Sequence, residues 1–257
     1  MTETTAEVFE RLFLPAMAGP WAVRVVDAAG IKPGEHVLDV ACGTGAVAAE
    51  AAARVGPEGK VEGIDRSPEM LDVARRKLPD LDLREGMAES LPFPDKVFDV
   101  VTCQFGLMFF EDRRAALLEM RRVLRPEGRL VVAVWDSLKQ TPGYAALTTL
   151  VERHLGRDAG VPVRGAFCLG DVGLVWSLLE DACFSGVDVD VVRATTRFPS
   201  VDEWVEAEVR GWIGGEFGER EYAALMADAR ETLAPYVQPD GSAEFVMPGI
   251  IGTAVRE

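Results

Sequence analysis

The chain of 257 residues carries 42 acidic and 27 basic residues, and its formal net charge is −15 at pH 7. So negative an average field repels phosphate backbones and anionic lipid headgroups, which argues against a nucleic-acid or membrane partner. Because a chain of this length buries roughly 75% of the surface that its unfolded form exposes, it needs no disulfide or metal to stabilise a core.

The first half of the chain alternates between helical and strand patterns. Two N-terminal helices are predicted at residues 5–14 and 20–29, and strands at 36–41, 61–64, 81–84, 98–103 and 129–135. Helices fit between most of these strands, and this alternation is typical of a parallel sheet with helices on both faces.

The pattern loosens beyond residue 137. Helices are predicted from residues 142 to about 155 and from 171 to about 183, and strands at 187–198 and 245–255. Between those strands, Gly211, Gly214, Gly215 and Gly218 interrupt two amphipathic segments. Clustered glycines add backbone freedom, so we expect a mobile helical lid at about residues 200–236.

We therefore divide the chain into three parts. Residues 1–30 form an N-terminal helical cover, and residues 31–137 a cofactor-binding core. Residues 138–257 complete the sheet and contain the lid insertion.

The cysteines and histidines show no metal-ligand spacing and no C-x-x-C pair; they are Cys42, Cys103, Cys168, Cys183, His36 and His154. We expect buried free thiols and no metal cofactor. The apolar stretch from Leu12 to Val23 follows acidic residues and contains two prolines, unlike a signal peptide. The sequence thus predicts a soluble cytoplasmic protein, and it leaves open whether that protein is a monomer or a homodimer.

A glycine-rich turn follows the first predicted strand. Gly43, Gly45 and Ala48 fit the G-x-G-x-x-G/A dinucleotide pattern, and Asp65 lies 20 residues beyond Gly45 at the end of the second strand. Asp39, four residues before Gly43, would repel a pyrophosphate but attract a ligand with an ammonium and a sulfonium. The alternative that Asp39 only hydrogen-bonds the turn stays open at this point.

Four motifs in order resemble those of class I S-adenosylmethionine-dependent methyltransferases, in the small-molecule branch that includes the quinone-biosynthesis enzymes. They are Val37-Leu-Asp-Val-Ala-Cys-Gly-Thr-Gly45, Gly63-Ile-Asp-Arg-Ser-Pro-Glu-Met70, Ala88-Glu-Ser-Leu-Pro-Phe93 and Leu124-Arg-Pro-Glu-Gly-Arg-Leu130. The resemblance covers residues 36–135. It implies an α/β, Rossmann-like, doubly wound sheet of seven mostly parallel strands, with the last strand antiparallel and a helical cover and lid.

The resemblance also implies how S-adenosylmethionine would be held before it leaves as S-adenosylhomocysteine. Asp39, Ala41, Gly43 and Gly45 would line the methionine half, and Asp65 would bind the ribose hydroxyls. The adenine and the methyl end would be contacted by Arg66, Met70, Met87, Ala88 and Gln104. Many relatives have Asp where this chain has Met87, so an acceptor for the adenine amino group is missing here.

Residues for the acceptor molecule are harder to identify. Aromatic and apolar side chains beyond the fourth strand, in the N-terminal helices and in the lid would line its pocket: Phe13, Phe105, Met108, Trp212 and Phe217. The catalytic group is unknown. His154 could act as a base, although it lies on a polar stretch typical of a surface residue.

We therefore expect methyl transfer to an O or N atom of a small, apolar or aromatic metabolite. One alternative is a C-methyltransferase of a quinone-like precursor. Alternatives of another class are an NAD-dependent oxidoreductase, which Asp39 opposes, and a non-catalytic cofactor-binding module.

Overall fold

A computed structural model describes residues 3–214 and 218–257. Gly215 and Phe217, both singled out above, lie outside these residues. Seven strands form the central sheet: β1 (His36–Val40), β2 (Lys60–Asp65), β3 (Asp82–Glu85), β4 (Phe98–Gln104), β5 (Leu124–Trp135), β6 (Ser185–Val192) and β9 (Gly249–Val255). A second sheet contains β7 (Thr195–Phe198) and β8 (Ala243–Val246).

The strand order of the central sheet is β3-β2-β1-β4-β5-β9-β6. The pairs among β1 to β5 are parallel, whereas β9 runs antiparallel to both β5 and β6. This confirms the predicted Rossmann-like α/β sheet with an antiparallel last strand. The order reverses direction between β1 and β4, where open α/β sheets form a crevice at their carboxyl ends.

Helices cover both faces of the sheet, and the N-terminal segment is helical throughout, through Pro15 and Pro20. In chain order they are α1 (Thr5–Val8), the π-helix π1 (Phe9–Ala18), α2 (Gly19–Ala29), α3 (Ala46–Val55), α4 (Pro68–Lys77), α5 (Arg113–Val123), α6 (Pro142–Leu155), α7 (Gly160–Ala166), α8 (Val172–Asp181), α9 (Val201–Glu206), the π-helix π2 (Ala207–Ile213) and α10 (Glu219–Thr232). Polar side chains begin several of them. Asp112, for example, accepts a hydrogen bond from the Ala115 amide at 2.9 Å.

Two predicted strands are wrong in their extent. The segment 187–198 contains the end of β6 and all of β7, and 245–255 contains the end of β8 and all of β9. The first segment passes from the central sheet to the small one and the second returns from the small sheet to the central one, so the chain changes sheet at residues 193–194 and at 247–248. Alternation of apolar residues has the same period in either sheet, so it cannot reveal this change.

The predicted lid begins in the folded core. Trp204 of α9 is 0% exposed, and its ring stacks on Phe245 with 4.1 Å between centroids. Tyr144 of α6 packs against the same indole at 5.7 Å. Residues 201–206 are therefore part of an aromatic cluster, and closure over a pocket remains a prediction for the later residues alone.

Two smaller expectations have different outcomes. Cys42 and Cys103 are buried as expected, but Cys168 and Cys183 are exposed, because they follow α7 and α8 at the surface. In the part of the chain that the structure describes, no helix combines the length and apolar character needed to cross a lipid bilayer.

Candidate functional site

A cavity of about 640 Å³ opens at the carboxyl ends of β1, β2 and β4. Its volume lies within the range of small-molecule sites, roughly 300 to 1,000 Å³. The strand ends and their loops form one wall. The other wall comes from π1, α6, α7 and π2, so residues far apart in the sequence share one space.

The turn after β1 combines three residues with left-handed backbone conformation. Their φ angles are 58° at Ala41, 53° at Gly43 and 86° at Gly45. A Cβ atom on Gly43 would meet no protein atom within 4 Å, whereas one on Gly45 would lie 2.6 Å from Cδ1 of Leu78. Gly43 thus leaves space in the cavity. Gly45 does not line it and instead permits close packing against the end of α4.

Asp39 lies at the bottom of the cavity and is buried. Its Oδ1 accepts a hydrogen bond from the Thr102 hydroxyl at 2.9 Å. Its Oδ2 has no hydrogen-bond partner within residues 3–214 and 218–257. Burial raises the pKa of Asp39 to about 7. The carboxyl is therefore bound by Thr102 and not by the amides of the turn. Its Oδ2 remains available to accept a hydrogen bond from a ligand.

Asp65 fixes the turn and faces the cavity. Its Oδ2 accepts from the Gly43 amide at 2.8 Å, and its Oδ1 accepts from the Ser67 amide at 2.8 Å. Burial raises its pKa, although both amides favour the charged form. Each carboxylate oxygen has a second lone pair, so these bonds leave acceptor capacity for hydroxyl groups.

The other predicted cofactor contacts also line the cavity: Ala41, Arg66, Met70, Met87, Ala88 and Gln104. Met87 is 43% exposed, so a polar group at this position would keep contact with water. Gln104 donates from Nε2 to the Ala18 carbonyl at 2.9 Å, while its buried Oε1 has no partner among the described residues.

Three of the five predicted acceptor contacts line the cavity, namely Phe13, Phe105 and Trp212. Met108 does not, because a short 3₁₀ helix at Leu107–Phe109 places Phe109 there and leaves Met108 buried behind it. Phe105 has φ 53° and stacks on Trp135 with 3.5 Å between centroids. A non-glycine residue in this conformation is strained, which is a frequent feature of binding sites.

Residues 38–132 match the family described as "Methyltransferase domain". The chain is 39% identical over 150 residues to the ubiquinone/menaquinone biosynthesis C-methyltransferase UbiE of Paraburkholderia xenovorans. The matched region covers 54% of this chain and 62% of that protein. It is 42% identical over 137 residues to the demethylmenaquinone methyltransferase of Renibacterium salmoninarum, covering 53% and 55% of the two chains. The chain therefore spans less than two thirds of these relatives.

Over residues 38–132 the chain is thus similar in sequence to methyltransferase domains. A putative methyltransferase from Bacillus halodurans has the same fold, with a TM-score of 0.64 and 21% identity over 93% of this chain and 99% of that one. The sequence similarity to the relatives covers about half of the chain, whereas the shared fold extends over nearly all of it.

The residues that line the cavity fit S-adenosylmethionine. The unpartnered oxygens of Asp39 and Gln104 are buried acceptors, and the methionine moiety carries an ammonium group that donates hydrogen bonds. The open space beside Gly43 admits close approach of a ligand to the backbone. Asp65, at the end of β2, would accept from the ribose hydroxyls.

His154 is separated from this cavity. Its Nε2 lies 2.8 Å from Oδ2 of Asp228 on α10, and Arg153 contacts the same carboxylate at 2.9 Å. His154 is absent from the cavity lining in the described part of the chain. The hydrogen bond to Asp228 gives His154 a structural role between α6 and α10, and this placement argues against a role as catalytic base.

Several polar residues of the cavity were not assigned to the site by the sequence analysis, and two of them lie on the wall opposite the strand ends. Glu208 of π2 and Tyr144 of α6 both line the cavity and are buried. In the sequence, Glu208 follows Glu203 and Glu206 in a short acidic run and looks like a surface residue. The signal that could have identified it is its position between Ala207 and Val209, which are also buried.

Proposed function

We propose that the protein transfers a methyl group from S-adenosylmethionine to a small, largely apolar or aromatic acceptor. The observation that supports this most is the single cavity shared by Asp39, Asp65 and Gln104 on one wall and by aromatic side chains on the other. When bound, the cofactor supplies a methyl group already activated by its positive sulfur, so the transfer itself requires no metal ion. The protein has to orient the acceptor and exclude water.

The second candidate is methylation at a ring carbon of a quinone-like precursor. The name of the Paraburkholderia relative, a C-methyltransferase, favours carbon over oxygen or nitrogen. The cavity wall opposite the strand ends, however, is lined by residues outside the matched range 38–132, among them Tyr144, Glu208 and Trp212. We therefore leave the acceptor atom open between oxygen, nitrogen and carbon. Mass spectrometry and NMR of the product from a naphthol and from a naphthohydroquinone would show which atom receives the methyl group.

Titration calorimetry with S-adenosylmethionine and with NAD tests the cofactor. We expect binding of the first only, because the unpartnered oxygen of Asp39 suits an ammonium and repels a pyrophosphate. Asp65→Ala should weaken that binding by about 1.5 to 3 kcal/mol, roughly 10- to 150-fold, the range for a hydrogen bond to a charged group.

Asp72→Ala is the matched control, since this carboxylate is exposed on α4. A thermal melt should accompany both variants, because Asp65 also holds the Gly43 amide. Preference for NAD, or unchanged affinity in the Asp65 variant, would contradict the proposed function.

A further inference from the structure

Glu208 occupies an unusual position for a carboxylic acid. It is 1% exposed and faces a cavity whose nearby lining is apolar, including Phe9, Phe13 and Trp212. Burial of a charged group in such surroundings is costly unless a partner compensates it. Within residues 3–214 and 218–257, Glu208 takes part in no ion pair.

The neighbouring acidic side chains of the same segment, unlike Glu208, have charged or polar partners. Glu206 pairs with Arg11 at 3.1 Å, and Glu203 accepts from the Ser200 hydroxyl at 3.1 Å at the start of α9. Gly211 brings π2 close to the N-terminal helices, since a Cβ atom there would lie 3.1 Å from Cγ1 of Val8. The packing of π2 therefore directs Glu208 into the cavity while Glu206 stays at the surface pair.

Tyr144 lines the same cavity as Glu208, and its hydroxyl is the side-chain group that favours the charged form of the Glu208 carboxyl. Its hydroxyl also lies 3.6 Å from Sδ of Met17. Burial raises the pKa of Tyr144 well above its usual value, so the hydroxyl stays protonated and donates. Burial likewise raises the pKa of Glu208, to about 8, while the Tyr144 hydroxyl lowers it. Such a carboxyl gains and loses a proton near neutral pH, as a general acid or base requires.

We propose that Glu208 is the proton acceptor for a hydroxyl group on an aromatic acceptor molecule, with Tyr144 as its positioning residue. The proposal rests on the proposed function and specifies its acceptor class. The O–H bond of the acceptor breaks, its proton passes to the Glu208 carboxylate, and the electron pair stays on the acceptor oxygen. That charge makes the oxygen the nucleophile: its bond to the methyl group forms as the bond from the methyl group to sulfur breaks, and the electron pair of that bond goes to sulfur. If the ring carbon next to the oxygen is the nucleophile instead, that carbon also releases its own proton to water as the ring becomes aromatic again. The proton returns to water when the product leaves.

Two fluorescent probes of nearly equal shape test this with the full chain and no cofactor. They are 1-naphthol, which carries a hydroxyl, and 1-methylnaphthalene, which carries a methyl group instead. As pH rises from about 6.5 to 8.5 and Glu208 ionises, naphthol affinity should increase several-fold, because a hydroxyl donates more strongly to a carboxylate. Methylnaphthalene affinity should decrease, because an apolar ligand removes water from the same charge.

Glu208→Gln should abolish the opposite pH responses of the two probes and leave only the change that ionisation of Asp39, in the same cavity, causes for both, while the Glu206→Gln control behaves like the unchanged protein. Tyr144→Phe should move the midpoint of the naphthol response to higher pH, since it removes the hydroxyl that lowers the pKa of Glu208. This second variant keeps the test valid if Glu208→Gln folds poorly in a thermal melt.

The proposal is overturned if the two probes respond to pH alike, if neither binds, or if Tyr144→Phe leaves the midpoint unchanged. Because the probes are measured without S-adenosylmethionine, these outcomes are independent of the calorimetry described above. Loss of cofactor binding with retained naphthol behaviour would overturn the methyltransferase assignment alone.

Discussion

At the scale of single residues, two glycines of the β1 turn have different tasks despite similar backbone angles. An added Cβ atom at either position incurs strain of roughly 1 to 2 kcal/mol in a left-handed conformation. At Gly43 it would enter the cavity, whereas at Gly45 it would collide with Leu78. Gly43→Ala should therefore weaken S-adenosylmethionine binding more than Gly45→Ala does, and Gly45→Ala should lower the melting temperature more.

Calorimetry and thermal melts of the two variants check this contrast, each variant serving as the other's control. Equal losses of affinity with equal melting temperatures would show that the strain of the turn alone matters. The result would separate ligand access from packing, which the G-x-G pattern by itself does not distinguish.

The cavity wall formed by the strand ends, where the cofactor would bind, could be predicted from sequence to a large extent. Its residues lie in a few short segments whose spacing reflects local geometry. Asp39 and Asp65 lie near the carboxyl ends of strands β1 and β2, Gly43 comes just after β1, and parallel strands bring their carboxyl ends together. The opposite wall could not be predicted in the same way. Glu208 and Tyr144 belong to π2 and α6, which are far apart in the sequence, and no local pattern predicts that both line one cavity.

At the scale of elements, α9 and π2 are continuous in the chain but differ in their surroundings. Trp204 is enclosed by an aromatic cluster, whereas Trp212 lines the cavity and contacts Phe109 with 5.0 Å between centroids. Trp204→Ala should destabilise the fold by about 3 to 5 kcal/mol, as large-to-small core substitutions do. Trp212→Ala should cost less stability, raise the KM for the acceptor and leave cofactor affinity nearly unchanged.

Urea denaturation and steady-state kinetics with a methylated naphthol as product would measure both effects. Hydrogen exchange adds an independent test of the lid: residues 201–206 should exchange as slowly as β1 and β4, while exchange over 207–213 should be faster. Uniformly slow exchange through both segments would mean that π2 is fixed and that no lid closes there.

At the scale of the whole molecule, the fold buries the Asp39 carboxyl near the carboxyl end of β1, in the middle of the sheet, in a chain whose net charge is already −15. The carboxyl of Asp39 also lies near that of Asp65, and this like charge raises its pKa further beyond the effect of burial. Ionisation of Asp39 therefore destabilises the folded protein when no cation is present. Part of the stability is given up for a site that attracts an ammonium group.

Asp39→Asn should consequently stabilise the cofactor-free protein in a pH-dependent manner. The pKa of Asp39 is about 7 in the folded protein, against 3.8 as the ordinary value. Because the pKa of Asp39 is raised in the folded protein, its contribution to the free energy of unfolding is fully present below the ordinary pKa. That contribution is lost as the pH rises through the pKa of the folded protein. The free energy of unfolding of the variant should thus exceed that of the unchanged protein by up to about 4 kcal/mol at pH 8 and by about half of that or less at pH 5. Urea denaturation at both pH values measures this difference, with Asp72→Asn as the exposed control.

The same Asp39→Asn variant should bind S-adenosylmethionine more weakly, because a neutral amide replaces the charge that faces its ammonium group. A stability gain of equal size at both pH values would show that Asp39 is not the group whose ionisation opposes folding.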